Sequence, residues 1–266
     1  MLVAALIVFF ASAVLWDAFV RTPHARHGAD AGPAPAASLA PPDTAALSRP
    51  VAAETAAHTA PPPPADGLSG TSYMVLLARS ETRRRIRASA GRTYLNEIVA
   101  ESQDSMLHRW DNRILSPVRV LLPPGRVANF QPSFLDAVRR AFQRWQEAGV
   151  PVRFNLDADS SSAEVRFQWR IQFEGERTGQ TELHWDEDGH LTDAVVTLAT
   201  FDPKGQPLGP DDLQVVALHE IGHLIGLDHS SDSTDVMFTT TKVRDLSPRD
   251  IQTAQLLYQL APGSLR

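Results

Sequence analysis

A chain of 266 residues with 43% hydrophobic side chains can bury an ordinary core, which excludes the fibrous and wholly disordered classes. The formal charge of −6 is mild but uneven: residues 79–92 carry six arginines against one glutamate, a pattern read as a solvated basic helix rather than a nucleic-acid surface. The absence of cysteine excludes disulfides, thiolate metal sites and cysteine nucleophiles, so any metal must be held by histidines and carboxylates.

Residues 1–20 are apolar except for Ser12 and Asp17, and a helix of that length spans roughly 30 Å of hydrocarbon. A membrane anchor is expected. The alternative is a cleaved signal sequence with Ala11-Ser12-Ala13 as the small-residue site, although the usual positive region before it is missing. The first reading tethers the remainder outside the cytoplasm and the second secretes it; Arg21 and Arg26 just after the span point the opposite way on the positive-inside rule. From 21 to 70 the composition turns to Pro and Ala, with Pro61 to Pro64 consecutive, and reads as an extended tether.

Residues 71–115 form an accessory segment. Within it, 71–78 is expected as a short strand, and Leu95, Ile98, Val99, Met106 and Trp110 suggest an amphipathic helix over 92–110. From 116 to 266 the pattern is that of one compact mixed domain. A strand at Pro117–Leu122 precedes a helix over 132–148, whose apolar Phe134, Leu135, Val138, Phe142 and Trp145 recur at helical spacing before Gly149-Val150-Pro151 stops it. Strands follow at 152–156, 164–171, 181–185 and 194–200, with Asp186–Gly189 as a hairpin turn. The strand 181–185 is the candidate edge for pairing with an extended peptide.

Pro210-Asp211-Asp212 then opens a helix over 211–225 that carries His219-Glu220-Ile221-Gly222-His223. Residues four apart on a helix are offset by about 40° and rise about 6 Å, so His219 and His223 can share one ion, while Glu220 stands beside it as a candidate general base. His229 would lie about 9 Å further along the axis if the helix continued. Gly226 supplies the left-handed turn that lets the chain double back. A further helix near 247–260 begins with Ser247 as cap and Asp250 in its first turn.

The run His219 to Ser230 extends the HExxH pattern to HEIGHLIGLDHS. It resembles the matrixins, the metzincin branch of zinc metallopeptidases. Met237 stands where that family places its Met-turn, and the closing run Leu246 to Tyr258 is similar as well. The resemblance is specific over about 208–260 and looser over 116–207. It implies an α+β (α/β-type) zincin fold, with a twisted five-stranded mixed sheet and three main helices. It implies one catalytic Zn2+ on His219, His223 and His229, with Glu220 catalytic, and hydrolysis of protein or peptide substrates through activated water. Val215, Leu218 and Phe238 fall at positions assigned to the substrate pocket. Phe238-Thr239 departs from the family's usual Tyr-Pro, the absence of cysteine rules out a cysteine switch, and the loop that carries further zinc and calcium sites in vertebrate members has no clear counterpart. A Ca2+ requirement thus stays open without a supporting motif. His184 and His190 flank the acidic turn and are read as part of a hairpin, not as a second metal site. An inactive zinc-binding scaffold tethered to the membrane is the alternative function, disfavoured because a structural zinc site needs no adjacent base.

Overall fold

The computed structural model describes residues 8–13, 72–101, 105–240 and 243–265. In chain order the elements are β1 (Val8–Ala13), α1 (Tyr73–Ala88), α2 (Leu95–Glu101), β2 (Met106–Leu107), β3 (Arg113–Leu121), α3 (Pro132–Glu147), β4 (Val152–Asn155), β5 (Val165–Arg170), β6 (Arg177–Trp185), β7 (Leu191–Ala199), α4 (Pro210–Leu224), α5 (Pro248–Leu257) and β8 (Gly263–Ser264). Five strands, β3 to β7, form the expected mixed sheet in the order β6-β7-β5-β3-β4. β3 pairs in parallel with both β4 and β5, and β5 with β7, whereas β6 runs antiparallel to β7. The β6–β7 reversal is the expected hairpin, closed by Gly189 N–H donating to Asp186 O at 3.1 Å with Gly189 at φ +84°. β1 adds a sixth strand, antiparallel along the outer edge of β6 with Phe10 opposite Thr181 and Ser12 opposite Gly179. The remainder of 1–20, expected as an anchor or signal sequence, and residues 21–70, expected as a tether, lie outside the described residues. No helix among the described residues is long and apolar enough to cross a membrane.

Three expected elements differ. Residues 8–13, expected within an apolar helix over 1–20, form strand β1 instead. In place of the strand expected over 71–78, Tyr73–Leu77 form the first turns of α1. The helix as a whole is rich in Leu, Ala and Arg, good helix formers, and it carries an Arg84–Glu81 pair at helical spacing. The amphipathic helix over 92–110 shrinks to α2, with Tyr94, Leu95 and Ile98 buried, while Met106 and Leu107 pair with β8 instead. Ser105, at φ +53°, breaks the helical path that the periodicity suggested.

The core lies between the sheet and α3 with α4. Helix α3 buries Phe134, Ala137, Val138, Ala141, Phe142 and Trp145 along one stripe. Phe142 meets Phe154 of β4 and Phe167 of β5 with ring centroids 4.8 and 5.7 Å away. Each such side chain contributes about 1.5–3 kcal/mol by leaving water. Trp145 Nε1 donates to Leu218 O at 2.9 Å, so the core tryptophan also fixes the roll of α4 beneath the site.

Candidate metal centre

Helix α4 starts with Pro210 in its first turn, followed by Asp211 and Asp212 at the positive end of the helix dipole. It presents His219 and His223 on one face, with ring centroids 4.8 Å apart. The helix ends where the sequence requires. Gly226 takes φ +99°, its N–H donates to His223 O at 2.8 Å, and Leu227 N–H donates to Gly222 O at 3.0 Å. Trp110 Nε1 and Tyr258 Oη donate to the last carbonyls, Leu224 O (2.8 Å) and Ile225 O (3.0 Å). A Cβ at residue 226 would run into the carbonyl oxygen of His108, so glycine is needed for space as well as for its dihedral angle. The reversal brings the His229 ring to 5.3 Å from His219 and 4.8 Å from His223.

One nitrogen from each of the three rings lies within 4.8 Å of the others, and among the described residues no other such histidine and carboxylate group occurs. His219 Nδ1 donates to Val236 O at 2.7 Å and His223 Nδ1 to Leu227 O at 2.9 Å. A neutral ring that spends its proton at Nδ1 has only a lone pair at Nε2. The two Nε2 atoms nevertheless sit 3.1 Å apart, a meeting of lone pairs that a shared cation would relieve. His229 Nε2 is buried and has no hydrogen-bond partner. Burial holds the rings neutral: His219 is lowered to about 3, first by desolvation and then by the His229 charge, His229 to about 4 by desolvation, and His223 well below its ordinary value for the same first reason. Three neutral, convergent imidazoles suit a borderline cation such as zinc, and three protein ligands leave a fourth position open.

Glu220 is fully buried beside the trio. Thr181 Oγ1 donates to Glu220 Oε2 at 2.7 Å and approaches Glu220 O at 3.1 Å. Gly179, also on β6, lies so close that a Cβ there would run into the same carboxylate. Beneath the helix, fully buried Met237 places its Sδ where a Cβ on Gly222 would fall. Of the pocket positions, Val215 and Phe238 are half-buried, whereas Leu218 is fully buried in the core against α3. His184 bonds to Asp193 at 2.6 Å, and His190 sits between Asp186 (3.3 Å) and Asp111 (3.1 Å) within the hairpin region. Thr181, Gly179 and the carbonyls of Val236 and Leu227 were not singled out from sequence as partners of the site. Only the glycine within a strand carried a signal, that of close backbone approach.

Residues 129–259 match the family model described as Peptidase_M10, Matrixin. The chain is 33% identical over 133 residues to Metalloendoproteinase 1-MMP of Arabidopsis thaliana, covering 45% of this chain and 36% of that protein. It is 47% identical over 225 residues to Metalloendoproteinase 2-MMP of the same plant, covering 74% and 54%. It is 42% identical over 82 residues to Matrilysin of Felis catus, covering 29% and 27%. The chain thus spans 27–54% of the length of these relatives. The mixed sheet, the helix that ends at Gly226, the buried Met237 and the matched span agree, and residues 129–259 belong to the matrixin-type metzincins.

Proposed function

We propose that the chain is a zinc-dependent endopeptidase that cleaves peptide bonds within proteins or peptides, with His219, His223 and His229 as ligands of one ion and Glu220 as general base. The observation that carries this reading is the buried, proton-poor convergence of three ring nitrogens beside a buried carboxylate. The names of the relatives, metalloendoproteinases and a matrilysin, support it.

A zinc ion in that position supplies Lewis acidity, polarising a scissile carbonyl and acidifying water. The protein does the rest. Val236 O and Leu227 O hold two ring tautomers so that Nε2 faces inward. Glu220 accepts the proton of the attacking water and returns it to the departing amine, so no covalent intermediate with the protein forms. Thr181 and Gly179 limit where that carboxylate can move. An extended substrate would lie along β6 by β-augmentation and must displace β1, which is paired there.

The test uses the purified full chain on a casein-type substrate with zinc, with a chelator, and as Glu220→Ala. Cleavage that is lost with chelator, restored by zinc and abolished in the variant is expected. Cleavage that survives Glu220→Ala would sink the assignment of the base, and the absence of zinc binding would sink the whole reading.

A further inference from the structure

The three histidines are not held alike. His219 and His223 each have a carbonyl at hydrogen-bond distance from Nδ1, whereas Asp228 Oδ1 stands 3.7 Å from His229 Nδ1, too far for a hydrogen bond. The place of the third ring therefore depends on its backbone. That backbone begins a loop closed at its root, where Ser230 N–H donates to Met237 O at 2.9 Å and the Ser230 hydroxyl bonds to Asp235.

The outer side of this loop is gripped by α2, which lies upstream of the span that matches the family. Glu97 Oε2 accepts from Ser231 N–H at 3.0 Å, two residues after His229, and Glu97 Oε1 accepts from Arg249 Nη2 at 3.0 Å. Arg249 Nη1 in turn reaches Asp235 Oδ2 at 3.0 Å and Asp232 Oδ2 at 3.4 Å, both on the same loop. The guanidinium also faces the Tyr94 ring at 5.4 Å, and Tyr94 Oη donates to Asp250 Oδ1 at 3.0 Å. Glu97 and Arg249 are about a fifth to a quarter exposed, 24% and 21%, so this ion pair is partly shielded from water.

We propose that Glu97 is a positioning residue for the third metal ligand: by fixing Ser231 N–H and Arg249 it keeps the His229 loop in register with the helix that carries the other two histidines. This rests on the reading of the trio as a zinc site. Outer partners that orient ligands typically change metal affinity by about 10–100-fold, and Glu97 acts one step further away, through backbone.

The test is zinc affinity of the full chain by chelator competition, together with the thermal midpoint of the metal-free protein. Glu97→Ala should bind zinc about tenfold more weakly. Arg85→Ala, which removes the contact of α1 with Gln259 at 3.0 Å without touching the loop, should bind it as wild type does. Should Glu97→Ala fail to fold, Glu97→Gln carries the same test, because its amide oxygen can still accept from Ser231 N–H while the charge opposite Arg249 is gone; affinity between the other two is expected. Wild-type affinity in the folded Glu97 variant, with zinc lost in His229→Ala, overturns the positioning role alone. An equal loss in Arg85→Ala and Glu97→Ala overturns it too, as a general effect of helix docking. No zinc binding by the wild type overturns both this role and the reading beneath it.

Discussion

Thr181 Oγ1 donates a 2.7 Å hydrogen bond to Glu220 Oε2, tying strand β6 to the buried carboxylate on α4. The contact fixes one oxygen of the proposed base. Thr181→Val keeps shape and removes the donor. A hydrogen bond to a charged group is worth about 1.5–3 kcal/mol, and loss of part of that in orientation should lower kcat on the order of tenfold with KM nearly unchanged. Thr181→Ser should recover most of the rate. Steady-state kinetics of the three proteins decide it: a KM effect with kcat intact would mean that Thr181 serves substrate binding instead.

Gly226 stands at φ +99° against the carbonyl of His108. Alanine there meets a backbone conformation that costs about 1–2 kcal/mol and an oxygen that cannot move without moving residues 107–109. Gly226→Ala should lose at least that much stability and, because His229 sits three residues on, most of its bound zinc. Urea unfolding and metal analysis of the purified variant check both, and full zinc content at wild-type stability would show that the reversal tolerates a side chain.

The helix and its break were legible because they obey local rules: a 3.6-residue period from Leu213 to Leu224, two histidines four apart, and a glycine where the chain must reverse. The same holds for α3 and for the Ser247–Asp250 capping box of α5, which forms as expected. What was not legible depends on which strand lies beside which helix. Nothing near Thr181 in sequence announces Glu220, 39 residues away, and nothing near Glu97 announces Ser231, 134 residues away. The misread segments failed for a related reason. Tyr73–Leu77 is too short for its period to distinguish strand from helix, and Met106 and Leu107 continue the helical spacing of α2 although the chain has already turned at Ser105 to meet β8.

The buried trio also sets a pH dependence. In the fold, His219 titrates at about 3 and His229 at about 4, against 6.5 for an ordinary histidine, because desolvation penalises the charged ring. The folded metal-free protein therefore binds fewer protons than the unfolded chain everywhere between 6.5 and about 4, and its stability must fall as pH falls through that window. Above 6.5 both states hold neutral rings and nothing is lost. Each histidine contributes a slope of about 1.4 kcal/mol per pH unit once the unfolded chain is protonated. Asp228 and Asp250, raised by burial, act in the opposite sense at the acid end, above their ordinary value of 3.8. Urea unfolding of the chelator-treated protein should show falling stability as pH is lowered from 6.5 through this window. Zinc affinity of the still-folded protein should stay nearly flat over the same interval, since its ligands carry no protons for the metal to displace. An affinity that drops steadily below 6.5 in folded protein would show that the rings are solvated and that the close convergence seen here is absent in solution.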